Sequence, residues 1–229
     1  MSTILQIETA TPVCSVAISV DGKTIALKEE KASNIHASSL TLFIEEAMKA
    51  AKLTYAELDA IAVSKGPGSY TGLRIGVSTA KGLCFALDKP LIAINTLKMM
   101  ANGYLLHHPN FGGLICPMID ARRMEVFTAV FDHHLGEVEH THAKIIDDKS
   151  FVLELQNNYV SFIGDGAVKC KDVIDNVNAH FYTDNYNSAT YMSNLAHTAY
   201  QAKGFEDVAY FEPFYLKDFV LTTPKKKVF

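Results

Sequence analysis

The sequence lacks several features that would assign it to a common class of protein. No stretch of about 18 apolar residues occurs, which argues against a membrane-spanning helix. No basic segment precedes the first apolar run, so we expect no secretory signal. The cysteines are scattered without C-x-x-C spacing, so we expect no disulfide framework and no zinc site, in a cytoplasmic protein. Each cysteine is interpreted as a small buried apolar residue; they are Cys14, Cys84, Cys116 and Cys170.

The chain also lacks a surplus of positive charge. Lysine and arginine total 21 against 25 acidic residues, and the net charge is −4. Because a protein that binds nucleic acid on its own neutralises phosphates with basic residues, this balance argues against an autonomous nucleic-acid binder. Near RNA, another molecule would have to supply most of the positive charge. The hydrophobic fraction of 48% excludes a disordered chain, and 229 residues suit one large domain or two small lobes.

Complete catalytic and phosphate-binding motifs are absent as well. The glycine-rich segment 64–76 has neither the Gly-Lys-Ser/Thr ending of a Walker A loop nor the G-x-G-x-x-G spacing of a dinucleotide-binding fold. No G-x-S-x-G elbow occurs. Three histidine pairs, at 107–108, 133–134 and 140 with 142, have no further ligand residues at suitable spacing, so we expect no metal site. His36, in the first turn of a predicted helix, is expected to be solvated or to cap that helix.

What the sequence does contain is a repeated order of predicted elements. The first half is a three-stranded meander followed by βα units, and the second half begins with another meander. The first-half strands are predicted at 4–8, 15–20, 24–28, 58–64 and 90–95, with helices over 35–51, capped by Asn34, and 70–87. The second-half strands are predicted at 114–119 and 124–131, in a segment ending near 146, and at 160–163, with a last helix over 193–203.

This duplication is typical of the actin-like ATPase architecture. We therefore predict an α/β protein of the actin-like ATPase (ASKHA) fold. Its two related lobes would each have a mixed sheet built from a three-stranded meander and βα units. The predicted ranges are 1–104 for the N-terminal lobe, 105–220 for the C-terminal lobe and 221–229 for a flexible tail.

The turn after the first strand carries an acid and two hydroxyls. In actin-like ATPases this hairpin places an acid and backbone amides near the phosphates of a nucleotide. Glu8, Thr9 and Thr11 are therefore candidate nucleotide contacts. The alternative is an ordinary turn in which the threonine hydroxyls bond their own backbone.

The predicted helix 70–87 carries small residues four apart, at Gly72, Gly76 and Ala80. Because each glycine destabilises a helix by roughly 1 kcal/mol relative to alanine, their presence indicates close approach of another backbone. That backbone belongs either to the core of the same chain or to a partner protein that docks on this helix and on helix 35–51. The sequence leaves both alternatives open.

Four segments in order resemble the TsaB family, also called YeaZ, over nearly the whole chain. They are Ile7-Glu8-Thr9-Ala10-Thr11, the G-P-G-S-x-T-G-x-R-x-G string at 66–76, the D-A-R-x-x-E string at 120–125 and Glu212-Pro213-Phe214-Tyr215-Leu216. The two longer strings are highly specific. The resemblance implies the actin-like fold and a part in the synthesis of tRNA threonylcarbamoyladenosine, the modified adenosine next to the anticodon. Proteins of this family are often described as glycoprotease-like.

The resemblance also implies that the chain is not itself the transferase. The catalytic paralogue TsaD holds its metal with two histidines four apart on a helix, and the matching positions here are Thr96 and Met100. A thioether does not replace an imidazole for a hard or borderline metal. Pro12 stands where the first hairpin of TsaD has an aspartate. We therefore expect a scaffold without catalytic residues or a metal of its own.

The partners implied by the resemblance are TsaD, the ATPase TsaE and, indirectly, tRNA, with no membrane and with a homodimer when TsaD is absent. No cofactor of the chain's own is implied, although a nucleotide is expected near the subunit junction. The docking helices would be 35–51 and 70–86, and Gly76→Leu is expected to break the contact without unfolding the chain. The expected interface residues are Leu40, Ile44, Met48, Tyr70, Gly72, Leu73, Arg74, Gly76, Val77 and Ala80.

Two other hypotheses remain open from the sequence. One is an actin-like metallo-glycoprotease or ATPase that acts on its own. The other is a homodimeric interaction module without any role in tRNA modification.

Overall fold

A computed structural model describes residues 1–32 and 35–217 of the chain and contains two mixed sheets of five strands each. In the first sheet, a buried central strand pairs antiparallel with the meander on one side and parallel with a βα strand on the other. Its strands are β1 (Thr3–Glu8), β2 (Val13–Val20), β3 (Lys23–Lys31), β4 (Ala60–Gly66) and β5 (Leu91–Asn95). Their order across the sheet is β3-β2-β1-β4-β5.

The second sheet repeats this topology. Its strands are β6 (Leu114–Asp120), β7 (Glu125–Phe131), β8 (Glu137–Ile145), β9 (Val160–Ile163) and β10 (Ala179–Tyr182), in the order β8-β7-β6-β9-β10. The duplicated order confirms the predicted two-lobed, actin-like α/β fold. Strand β10 was not predicted, because four partly exposed residues carry no clear alternation of apolar and polar side chains.

Within the described residues, six α-helices accompany the two sheets. Helices α1 (His36–Ala51) and α2 (Tyr70–Leu87) pack side by side on one face of the first sheet. Helix α3 (Thr96–His107) lies between the lobes, and its side chains join a core that includes residues of both sheets. The remaining helices are α4 (Val152–Asn157), α5 (Asp165–Cys170) and α6 (Ser193–Gln201). Asn34, the predicted cap of α1, lies outside the described residues.

Most of the segment after β10 packs on the first lobe rather than on the second, which corrects the predicted range 105–220. It returns to the first lobe: the Ala189 amide donates to Ser15 Oγ (3.0 Å), and the Glu206 amide donates to the Leu91 carbonyl (2.9 Å). Val208 and Phe211 pack against the core beneath α2. The predicted end of the second lobe at residue 220 was wrong. Apolar contacts between this segment and a distant helix leave no pattern in the local sequence. The predicted tail 221–229 lies outside the described residues.

The cysteine prediction is confirmed, since all four side chains are buried and none forms a disulfide. Burial raises the pKa of Cys14 to about 11 and that of Cys84 to about 12, so both are thiols at neutral pH. Within residues 1–32 and 35–217, no helix combines the length and the hydropathy that crossing a membrane requires.

Candidate docking face and the first hairpin

The turn between β1 and β2 is enclosed by the start of α2. Thr9 Oγ1 donates to the Gly72 carbonyl (2.8 Å), and the Ser69 amide donates to the Ala10 carbonyl (2.7 Å). Ser69 also caps α2, because its Oγ accepts from the Gly72 amide (3.3 Å). The hairpin and the first turns of α2 therefore form one rigid unit.

This close approach explains the glycines of α2. A Cβ at Gly72 would lie within 3.0 Å of the Thr9 carbonyl oxygen, and a Cβ at Gly76 would lie within 3.0 Å of Thr9 Oγ1. Real Cβ atoms essentially never come so close to another atom. The segment that packs closely against these two glycines is thus the first hairpin of the same chain. Attributing the stripe to a partner helix is corrected, and Gly76→Leu is no longer expected to leave the fold intact.

Glu8, at the end of β1, is fully buried without a cationic partner among the described residues. Its Oε1 accepts from the Ala10 amide (2.5 Å), whereas Oε2 has no partner. Burial raises the pKa of Glu8 from 4.5 to about 7, and the Ala10 amide opposes that rise. The Ser64 hydroxyl, beside it on β4, opposes the rise as well, although it lies outside hydrogen-bond geometry. Glu8 is therefore a buried acid that keeps its proton well above the usual pH range of a carboxyl, rather than an exposed ligand for a nucleotide or its metal.

We expect Glu8→Gln to stabilise the protein in a pH-dependent way. The folded chain holds the Glu8 proton up to about pH 7 and the unfolded chain only to about pH 4.5, so wild-type stability falls as the pH rises between these values. The whole penalty is about 3 kcal/mol. Glutamine keeps the acceptor for the Ala10 amide and never ionises. Urea unfolding should show the variant about 2–3 kcal/mol more stable near pH 8 and similar to wild type near pH 5. A stability difference that does not change with pH would contradict this assignment.

The other candidate nucleotide contacts are also engaged within the chain. Thr9 is fully buried, and Thr11 Oγ1 accepts from the Val13 amide (3.3 Å). Thr11 lines a cavity of about 310 Å³ near the N-terminal ends of α1 and α2, whereas Glu8 and Thr9 are fully buried. These positions favour the ordinary-turn alternative for Glu8 and Thr9.

His36 also borders this cavity, which corrects the expectation that it is solvated. It is 8% exposed, and its Nε2 bonds the Thr11 carbonyl (2.8 Å) while Nδ1 has no partner. Because a carbonyl only accepts, Nε2 carries a proton there. Burial lowers the pKa of His36, so the ring is neutral near pH 7 and Nδ1 offers a lone pair.

Most of the predicted interface residues face the interior of the chain. Of the predicted set, only Arg74 is exposed, and Tyr70 is half-buried. The other residues are buried under α1 and α2 and belong to the fold, which corrects their assignment as contact residues. They are Leu40, Ile44, Met48, Gly72, Leu73, Gly76, Val77 and Ala80.

No described residue covers the opposite face of the two helices, and we call it the outer face. Its apolar members include Phe85, which is 88% exposed, and Leu42, which is 54% exposed. Gly82 lies one turn before Phe85 and has open space where a Cβ would stand. Sequence reasoning missed these residues, although a signal existed. Leu42 and Gly82 each follow an inward residue by two positions, about 200° around the helix.

Tyr70 and Arg74 belong to an aromatic cluster at one end of the outer face. The ring of Tyr70 lies 4.8 Å from that of Tyr215, and the Arg74 guanidinium lies 5.5 Å from the Tyr70 ring centroid. Lys81 anchors the returning segment, because its Nζ donates to the carbonyls of Ala209 (3.1 Å) and Phe211 (2.9 Å). The cluster thus joins the C-terminal segment to α2.

The two positions that match the metal-binding histidines of TsaD are filled by core residues. Thr96 and Met100 are both fully buried at the start of α3. Gly164 leaves room for the Met100 methyl group, since a Cβ there would lie within 3.0 Å of Met100 Cε. Among the described residues, no group of three or more His, Cys, Asp or Glu side chains is placed to hold a metal ion.

Comparisons with known proteins agree with the motifs. A family model described as TsaD, tRNA N6-adenosine threonylcarbamoyltransferase, matches residues 27–223. The tRNA threonylcarbamoyladenosine biosynthesis protein TsaB of Bacillus subtilis (strain 168) is 31% identical over 183 residues, 76% of this chain and 76% of that protein. The tRNA N6-adenosine threonylcarbamoyltransferase of the same organism is 38% identical over 108 residues, 40% of this chain and 31% of that protein.

A solved structure shows the same fold. The crystal structure of an uncharacterized protein with similarity to peptidase YEAZ from Pseudomonas aeruginosa superposes with a TM-score of 0.85 at 24% identity. It covers 95% of this chain and 100% of the other. The family model spans most of the sequence, and the TsaB relative aligns over three quarters of both proteins. The chain therefore belongs to the TsaB (YeaZ) proteins within the TsaD-like family.

Proposed function

We propose that this chain is a non-catalytic subunit in the synthesis of tRNA threonylcarbamoyladenosine and that it docks onto a TsaD transferase through the outer face of α1 and α2. The observation that carries the proposal is the exposure of Leu42 on α1 and Phe85 on α2, together with the open position at Gly82 one turn before Phe85. An exposed glycine lowers helix stability by roughly 1 kcal/mol relative to alanine, and no neighbour within the described chain requires it. A second helix that approaches closely would require it.

The similarity of the chain to a transferase supports TsaD as the occupant. A relative with the same lobe would present the same pair of helices. Two such pairs can meet around a pseudo-two-fold axis, as in isologous interfaces. The small residues along the outer face of α2, Ser78 and Gly82, would allow the helices to approach closely.

The residues at the paralogue's metal site support a role without catalysis. Thr96 and Met100 replace the two imidazoles and are enclosed, so a metal would have neither its ligands nor a route to this position. The nucleotide expected at the subunit junction would meet this chain at the cavity bordered by Thr11 and His36. TsaE and tRNA would join the pair of subunits as further components.

Size-exclusion chromatography with light scattering tests the proposal. The chain is measured alone, then mixed with the TsaD protein of the same organism at micromolar concentration, with and without ATP. We expect a heterodimer to replace the species formed by the chain alone. Absence of any complex under both conditions would contradict the proposal. A homodimer that persists unchanged in the mixture would instead favour the interaction module without a tRNA role.

The enzyme hypothesis is tested on the same preparation. ATP turnover and stoichiometric metal content are measured on the purified chain without its partner. We expect neither above the background of a buffer control. Turnover that persists through repeated purification would contradict a purely non-catalytic role.

A further inference from the structure

The D-A-R-x-x-E string forms the tip of the β6–β7 hairpin, and neither the docking face nor the first hairpin uses it. The Asp120 carboxylate accepts from the Arg122 amide (3.0 Å), and the Glu125 amide donates to the Arg122 carbonyl (3.2 Å). The Asp165 carboxylate accepts from the Asp120 amide (3.0 Å) and ties the tip to the start of α5. Hydrogen bonds within the turn and to Asp165 therefore fix the conformation of the tip.

The two acids of the string are neutralised inside the chain. Lys169 Nζ contacts the Asp120 carboxylate and donates to the Glu125 carbonyl (2.7 Å). Lys217 Nζ contacts the Glu125 carboxylate and donates to the Ala121 carbonyl (3.2 Å). The acids and lysines therefore build the turn. The charge of Arg122 adds to that of Lys169 in lowering the pKa of Asp120, but Arg122 makes no direct ion pair with this carboxylate.

Arg122 and Arg123 are both exposed, and both have left-handed backbones, with φ of 72° and 51°. Asparagine and glycine adopt such angles with less strain than a long side chain. Among residues 1–32 and 35–217, neither guanidinium forms a side-chain hydrogen bond or an ion pair, although the Arg122 charge acts on Asp120 at longer range. The chain as a whole has a net charge of −4, so two adjacent exposed arginines on a rigid turn give this part of the surface a local positive charge.

We propose that Arg122 and Arg123 contact the phosphate backbone of tRNA directly. The proposal rests on the proposed function, because it assumes a place for this chain in a tRNA-modifying complex. The planar fork of guanidinium matches two oxygens of a phosphate. The turn belongs to the second lobe, whereas the docking face belongs to helices of the first lobe. Lys217 links the turn to the segment that ends the outer face at Tyr215, so the proposal requires that docking leaves both guanidinium groups accessible to tRNA.

The test replaces the arginines with residues that suit the turn better. Arg122→Asn/Arg123→Gly removes two positive charges and relieves the left-handed strain, so the variant should melt at a higher temperature than wild type. The matched control is Lys52→Asn/Lys203→Gly. Lys52 and Lys203 are exposed, have φ of 56° and 55°, and follow the ends of α1 and α6. The control therefore loses the same charge from the same type of backbone elsewhere.

Binding is measured by fluorescence anisotropy with an unmodified tRNA transcript. The titration uses the complex with TsaD at several salt concentrations. We expect the arginine variant to weaken tRNA binding about tenfold and to reduce the slope of log K against log salt by about 1.5, as the loss of two phosphate contacts predicts. The lysine control should change the affinity less than twofold and leave the slope unchanged.

Three outcomes would overturn the assignment. Unchanged tRNA affinity in an intact complex would exclude the contact, and equal losses in both double variants would indicate only a general effect of net charge. If the arginine variant no longer bound TsaD, the arginines would contact an acidic surface of that protein rather than tRNA. Failure of the wild-type chain to form the complex would count against the proposed function, which separates the two hypotheses.

Discussion

Gly72→Ala is expected to destabilise the protein by at least about 3 kcal/mol, because the added methyl group has no space. Its Cβ would stand within 3.0 Å of the Thr9 carbonyl oxygen. That oxygen belongs to backbone, and the hairpin around it is held by the Thr9 Oγ1 to Gly72 carbonyl bond and the Ser69 to Ala10 bond. Relief would require the hairpin and α2 to separate. Chemical denaturation monitored by circular dichroism measures the loss.

Gly82→Ala is the matched control in the same helix. It makes the same chemical change, but nothing lies within 4 Å of the new Cβ. We expect this variant to be more stable than wild type by up to about 1 kcal/mol, since alanine is the better helix former. Equal destabilisation of both variants would show that the close approach of the hairpin to Gly72 is not what selects glycine there.

Gly82→Leu is expected to weaken binding to TsaD at least about 100-fold, or about 2.7 kcal/mol, while the chain stays folded. Leucine at this position would project from the outer face and hold an approaching helix away from α2. The same side chain is accommodated in the free chain, because the position is open. Light scattering at several concentrations and calorimetric titration measure the two effects.

Gly112→Leu serves as the control for that interface. Gly112 is exposed in the loop before β6, has a normal negative φ and also has nothing within 4 Å of its Cβ position. We expect it to bind TsaD like wild type. If Gly82→Leu bound as tightly as the control, the outer face would not be the docking surface. If it abolished only self-association, TsaD would have to bind elsewhere.

Much of the fold could be predicted because its elements are regular and their signals are local. The spacing of Leu40, Ile44 and Met48 correctly predicted the buried side of α1. The Asp21-Gly22 turn correctly predicted the β2–β3 hairpin, with both residues at positive φ. The repeated meander correctly predicted two sheets with the same strand order. Each depends on side chains within one or two turns of helix or one pair of strands.

The site was harder to predict because its properties depend on residues far apart in the chain. Apolar spacing in α1 and α2 identifies a buried stripe, yet it does not say whether the same chain or another molecule covers it. At Gly72 the covering group belongs to the same chain. It is the carbonyl of Thr9, which is 63 residues away in sequence. The raised pKa of Glu8 likewise follows from complete burial in the folded chain, which the residues next to it in the sequence do not reveal.

The sequence by itself determined the family and most of the order of elements, because these depend on residue identities and local periodicity. The match of Thr96 and Met100 to histidines of TsaD comes from the family resemblance and stays a prediction. Only the tertiary structure decided which faces of α1 and α2 remain uncovered, where residues 189–217 pack and which charges of the D-A-R-x-x-E string are neutralised. Packing and ion pairing act between segments that are distant along the chain. The local sequence does not show which apolar or charged surfaces contact each other in the folded chain.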